Sequence, residues 1–247
     1  SSVAVSATGT GDGPDYIWVG DLQGAGLLQS ANQGGLWTSP GTVCDPVLSL
    51  LTPSRGQADV FVGTGNGFKE LASGAVSDLY PTNLAINTIT EAVDGSFWLA
   101  TSSGVKRTIP GETFPRDVAV ETMALFDISN ITTSPNYLTD GVIFALSERV
   151  GLFISRDGGT SFSMYMPPLS QSQASDPGFR ITGFGVDPTF NGATGSCGAT
   201  TSTVYLATKG MGVFKSTSGG SNWIPINNGV LSTNLNVCKF AVTPNVF

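Results

Sequence analysis

Histidine is absent from this chain of 247 residues. Its absence removes the commonest general base, the commonest metal ligand and the usual nucleophile–histidine pairs in one step. Charge is scarce as well: charged residues make up only 12% of the chain. The 11 Lys and Arg are scattered and form no stripe, and the formal net charge is −7. Nucleic acid and anionic membrane surfaces are therefore disfavoured as partners. No apolar run approaches the length of a membrane span, so direct membrane insertion is not expected. The three cysteines, Cys44, Cys197 and Cys238, lie far apart and lack metal-ligand spacing. No metal and no cofactor are expected from these residues.

What is present points to strands and turns. Hydrophobic residues make up 40% and glycine contributes 32 positions. Abundant Gly, Ser, Thr and Asn with little charge suits many short strands joined by tight turns. The apolar content is too high for an acidic disordered chain. Beginning at Ser1, the chain is expected to be a trimmed product, for instance after removal of a signal peptide.

The most informative stretch is Gly151 to Tyr165, GLFISRDGGTSFSMY. An apolar run, Leu152-Phe153-Ile154, leads into Ser155-Arg156-Asp157-Gly158-Gly159-Thr160-Ser161-Phe162 and then into further strand-forming residues. This reads as two antiparallel strands joined by a specified turn. Asp157 can accept backbone N–H bonds within the turn. Gly158 and Gly159 can take the positive φ a tight reversal needs. Phe162 can anchor the second strand.

The pattern recurs. Ser30-Ala31-Asn32-Gln33-Gly34-Gly35-Leu36-Trp37 carries Asn32 at the Asp position, and Ser216-Thr217-Ser218-Gly219-Gly220-Ser221-Asn222-Trp223 carries Ser218 there. Glycines that open the strand before each such turn fall at 26, 67, 104, 151 and 212, at intervals of 41, 37, 47 and 61. At 72–75 the turn has eroded to Ala-Ser-Gly-Ala, and at 110–114 it shortens to Pro-Gly-Glu-Thr-Phe. Spacings of about 40–50 residues match one four-stranded propeller blade, with the longer intervals holding insertions.

Ser-x-Asp-x-Gly-x-x-aromatic resembles the Asp-box, or bacterial neuraminidase repeat, of sialidases, sortilin-type receptors, some endoglucanases and a photosystem assembly factor. The resemblance implies an all-β fold, a β-propeller of about five four-stranded antiparallel blades with Asp-box turns. Ser30, Asn32, Gly34, Trp37, Ser155, Asp157, Gly159, Phe162, Ser216, Ser218, Gly220 and Trp223 would be its structural turn residues. The chain would form a single domain, 1–247, with blades at roughly 1–46, 47–83, 84–120, 121–178 and 179–238. Residues 239–247 would supply a closing strand, either completing the first blade and displacing residues 1–8 or opening a sixth. The first strands of the blades are expected near residues 3–6, 47, 84, 123, 181 and 240.

The candidate chemistry lies at the inner strands. Phe179-Arg180-Ile181 resembles the Arg motif of sialidases, although Thr182 replaces its Pro and the motif falls in the last unit. Arg180 is expected to be structural. Paired carboxylates are what a glycosidase needs; Asp127 and Asp187, with Glu121 and Asp45, flank inner strands. Asp187-Pro188 and Asp45-Pro46 also read as ordinary turn starters. Asn130-Ile131-Thr132 is a glycosylation sequon, expected on a loop. In the implied propeller Cys44 and Cys238 both precede first strands and share a face, which favours a bridge between them; Cys197–Cys238 is the rival.

The expected function is therefore a non-enzymatic interaction or structural module, secreted or at the cell surface, binding protein or glycan through its loops. The alternative is a carbohydrate-active enzyme acting at a central channel. Tyr80, Tyr165 and Met166 are the candidate surface-patch residues.

Overall fold

The computed structural model describes residues 2–6, 16–23, 26–54, 60–81, 83–109, 116–118, 123–170, 175–192, 202–229, 235–238 and 241–242. The chain divides into two compact units, Ser1–Asp117 and Val118–Phe247. All strand pairing among the named strands is antiparallel, and the described residues include one short helical segment of four residues, α1 (Tyr137–Asp140).

The first unit holds three sheets. β1 (Ser2–Ser6), β2 (Tyr16–Gly20) and β3 (Leu27–Ser30) form a three-stranded meander. Beyond β3 there is a single bridge, Gln29 to Thr38. The second sheet runs β4 (Val47–Leu51), β5 (Val60–Thr64), β6 (Gly67–Ala72) and β7 (Ala75–Pro81). The third runs β8 (Ile86–Glu91), β9 (Phe97–Thr101), β10 (Gly104–Thr108) and β11 (Arg116–Val118).

The second unit holds two four-stranded sheets. One is β12 (Asn130–Thr133), β13 (Ile143–Ser147), β14 (Gly151–Ser155) and β15 (Ser163–Tyr165). The other is β16 (Ile181–Val186), β17 (Val204–Thr208), β18 (Gly212–Ser216) and β19 (Ile224–Pro225).

Middle strands such as VFVGT, FWLAT, IFALS and GLFIS are buried along their whole length. They are nearly continuous apolar runs because both faces of each sheet are covered. Strand periodicity then sends alternate residues into different cores. Val60 and Val62 join Trp18, Leu27, Val47 and Leu71, whereas Phe61 between them joins Phe68, Ile86, Phe97 and Leu99. In the second unit Phe144, Leu146, Leu152 and Ile154 meet Ile181, Leu206, Phe214 and Trp223 across the two sheets. Each such side chain contributes about 1.5–3 kcal/mol when fully buried.

Gly63 shows how closely the sheets approach. A Cβ there would overlap Ser49 Oγ and lie 2.7 Å from the Ile86 carbonyl oxygen of the next sheet. No larger residue fits without moving backbone.

Repeated staples close the turns between second and third strands. Thr64, Thr101 and Thr208 are buried, and each Oγ1 donates to the carbonyl of the glycine opening the next strand, at 3.0, 2.9 and 2.8 Å. Those glycines, Gly67, Gly104 and Gly212, all hold positive φ.

Several expectations need correction. Residues 2–6 are not displaced: β1 is the edge of the first sheet, in register with β2 from Ser2–Gly20 to Ser6–Tyr16. The first strand of the fourth sheet is β12, not the run near Met123. Met123 accepts a turn bond from Phe126 N, and Leu125 is 90% exposed, so the described part of that run, 123–126, forms a turn rather than a strand. Asn130 accordingly begins a strand rather than sitting in a loop; it is exposed, while Ile131 beside it is buried. Cys44 and Cys238 are exposed free cysteines, so the expected bridge between them is not formed. Cys197, Glu121, the 110–114 turn and the closing strand, apart from Ala241 and Val242, lie outside the described residues.

Candidate functional site

The repeated turns come first, because their residues carry most of the side-chain chemistry. Between β14 and β15, Ser155 Oγ donates to Asp157 Oδ1 at 2.7 Å and accepts from Gly159 N at 2.8 Å. Asp157 in turn accepts from Ser161 N at 2.9 Å and Ser161 Oγ at 2.6 Å. Burial works against the charge on Asp157, but the Ser161 and Ser155 bonds outweigh it and hold the carboxyl below the usual range.

The other two turns repeat this bonding residue by residue. Ser30 Oγ donates to Asn32 Oδ1 at 3.0 Å and accepts from Gly34 N at 2.9 Å, and Leu36 N donates to Asn32 Oδ1 at 2.7 Å. Ser216 Oγ lies 3.3 Å from Ser218 Oγ and accepts from Gly220 N at 2.9 Å, while Asn222 N donates to Ser218 Oγ at 2.9 Å. Asp, Asn and Ser serve alike because the turn needs an acceptor oxygen rather than a charge. The three serines are almost fully buried. Phe162 and Trp223 are buried too, at 8% and 7% exposure, but Trp37 is 39% exposed. Among the described residues the first sheet has three strands, and beyond them the Gln29–Thr38 bridge. The eroded turn at 72–75 is a two-residue hairpin whose Ser73 and Gly74 both hold positive φ, as a tight antiparallel reversal needs.

The carboxylates flanking inner strands are partly committed to their own turns. Asp187 Oδ1 accepts from Thr189 N at 2.9 Å and Thr189 Oγ1 at 2.6 Å. Asp45 accepts from Asn66 Nδ2 at 2.7 Å and pairs with Lys69 at 3.4 Å. The Asn66 bond is the largest influence holding the Asp45 carboxyl below its usual range, with Lys69 adding to it. Asp127 is exposed just before β12. Among the described residues no three His, Cys, Asp or Glu side chains are grouped to hold a metal.

One cleft in the second unit brings chemistry together. It encloses about 460 Å³ and is lined by Arg149, Met166, Pro167, Leu169, Asp176, Pro177, Phe179 and Arg180. That volume falls in the range of small-ligand and peptide pockets. Arg180 lies just before β16 and donates from Nη1 to the carbonyls of Phe179 at 2.6 Å and Pro177 at 3.0 Å. Asp176 Oδ1 accepts from Gly178 N at 2.7 Å, and the Asp176 carbonyl accepts from Phe179 N at 3.1 Å. These bonds fold the loop onto the strand, where Ile181 N donates to Glu148 O at 2.8 Å. Arg149 stands exposed on the β13–β14 turn. Phe179 is rooted in the core, with Met166 and Leu169 packed against it.

Of the candidate patch residues, only Met166 lines this cleft. Tyr165 packs on the core, and Tyr80 lies under Lys106 Nζ, 5.6 Å from the ring centre. Sequence reasoning missed Arg149. It lies in a second-to-third strand turn, and Arg180 lies in a loop leading to the next first strand; in a propeller those loops share a face, which was the available signal.

No protein-family model matches the sequence. None of the curated proteins compared with it matches either. Solved structures do. An ancestral GH74 enzyme superposes with a TM-score of 0.67 at 16% identity, over 95% of this chain and 32% of its own. The GH74 enzyme of Niastella koreensis gives 0.61 at 16% identity, over 100% of this chain and 34% of its own. YCF48 bound to a D1 peptide gives 0.58 at 14% identity, over 92% and 67% respectively. The chain thus spans about a third of the GH74 enzymes it resembles. These neighbours are β-propellers, and the likeness defines the class of this fold: an all-β chain of antiparallel sheets of the β-propeller kind. The neighbours include both enzymes and a peptide-binding protein, so the fold leaves the activity open.

Proposed function

We propose that the chain is a non-enzymatic β-propeller module that binds another protein, each of its five sheets being one blade and its three Ser-x-Asp/Asn/Ser turns being Asp-box turns. One observation carries the reading. The side chains of those turns and the Asp187 carboxylate are engaged in local hydrogen bonds, whereas the described cleft is lined by two arginines beside apolar side chains. Such a lining suits recognition, whereas glycoside hydrolysis calls for a pair of facing carboxylates. YCF48, which shares the fold at low identity, is a protein bound to a peptide, and its likeness supports the same class of role here. A secreted or cell-surface location, with glycan on Asn130 where the host attaches it, belongs to the same proposal.

The test is to recover binding proteins from the source organism by cross-linking to the purified chain, then to titrate each as a purified protein. Saturable binding by a pure protein supports the reading. Binding confined to free glycans on an array would replace it with carbohydrate recognition.

A further inference from the structure

The cleft of the second unit is specific enough to say what it would take. Arg180 is held in place by two carbonyls that use only its Nη1. Its Nη2 and Nε donate to no group among the described residues, and Arg149 has no carboxylate partner there. Asp176 uses Oδ1 within its own loop and leaves Oδ2 facing no described donor. Two guanidiniums and one carboxylate leave a single positive charge, which one incoming carboxylate balances. The preset guanidinium lowers the ordering cost of capturing it.

The floor decides what carries that carboxylate. Met166, Pro167 and Leu169 line it beside Phe179, which is only 8% exposed, so the floor is mainly aliphatic rather than an open aromatic platform for a sugar. With a net charge of −7, the chain as a whole repels long acidic ligands, so recognition is confined to a single local charge.

Resting on the binding function proposed above, we propose that the cleft between the Arg149 turn and the Asp176–Arg180 loop docks an extended segment of a partner protein. It takes one acidic side chain between the two guanidiniums and the neighbouring apolar side chain on the Met166–Leu169–Phe179 floor. Asp176 Oδ2 accepts a backbone N–H of the same segment.

The test uses the intact chain and labelled short peptides, blocked at both ends, that place Asp or Glu beside each apolar residue type in turn. The Asn and Gln versions are controls, and fluorescence anisotropy is the readout. Acidic peptides with an apolar neighbour are expected to bind at least about tenfold more tightly than their amide controls, a difference of about 1.4 kcal/mol. Added salt should weaken them. Arg149→Gln should abolish the discrimination with no change in melting temperature, because its side chain bonds to nothing described. Arg180→Gln should abolish it too, with some loss of stability. Equal binding of acid and amide peptides, or no binding by any of them, overturns the proposal. So does sialyllactose binding that depends on the same two arginines, which would assign the site to a glycan carboxylate. A doubly substituted chain, Arg149→Gln with Arg180→Gln, that still binds its purified partner protein would remove this site and leave the binding function standing.

Discussion

Arg156, in the turn that closes the fourth sheet, donates from Nη2 to the carbonyl of Gly219 at 2.7 Å, in the corresponding turn of the fifth. The residue between Ser155 and Asp157 thus stitches two neighbouring turns together. Gly219 holds φ +62, and a Cβ there would sit 2.5 Å from Arg156 Nη2. Gly158 holds a similar φ of +68 but has open space around it. Gly158→Ala therefore pays only the left-handed strain, about 1–2 kcal/mol. Gly219→Ala pays that and displaces the arginine. In an Arg156→Ala background the two alanine substitutions should cost the same, and urea unfolding of the double-mutant cycle checks it. A cycle with no coupling would show that the Arg156 contact does not bear on stability.

Asp157 sets an acid limit for its turn. Its carboxyl lies below the unfolded value of about 3.9. The stabilisation is therefore complete above that pH and is lost as pH falls through the lower folded value. Asn32 makes the corresponding bonds in the first turn, so Asp157→Asn should cost under about 1 kcal/mol at neutral pH, from the lost Ser161 hydroxyl bond alone. It should also flatten part of the decline below pH 4. Asp157→Ala should cost about 1–2 kcal/mol, since Ser155 Oγ and Ser161 N lose their acceptor. Melting temperature against pH for the three proteins decides this.

Those turns were legible because everything they need lies within eight consecutive residues. Asn32 and Ser218 could be recognised as substitutes since a turn asks only for an acceptor. Strands such as β13 and β14 were equally plain, being unbroken apolar runs. The run near Met123 misled for the same reason: apolar residues alone do not say whether a strand partner is present, and Leu125 is exposed. The cleft was hidden because Arg149 and Arg180 come from separate loops, and Arg180 taken alone reads as structural. The free cysteines fall in the same class, since pairing depends on the placement of distant segments.

Gly63 sits where two sheets approach closely. Gly63→Ala should destabilise by about 2–3 kcal/mol, because the Ile86 carbonyl is backbone and cannot swing aside. Gly183→Ala on β16 has open space and should cost under about 1 kcal/mol. Denaturant midpoints of the two variants provide the comparison, and equal midpoints would mean that the sheets are farther apart than described here.

Cys44 and Cys238 should both react with a thiol reagent in the native protein without prior reduction. Cys44→Ser and Cys238→Ser should leave the melting temperature unchanged. Mass spectrometry of the alkylated, unreduced protein reads this out, and a peptide linking the two positions would contradict the free-thiol arrangement.

The most direct trial of the binding function is a search for turnover. The purified chain is incubated with xyloglucan and with a fluorogenic sialoside, beside variants Asp127→Asn and Asp187→Asn. The account expects no product above the blank from any of the proteins, with Asp187→Asn showing only a small loss of stability from its Thr189 bonds. Product formation that disappears in either variant would show a catalytic carboxylate and contradict the account.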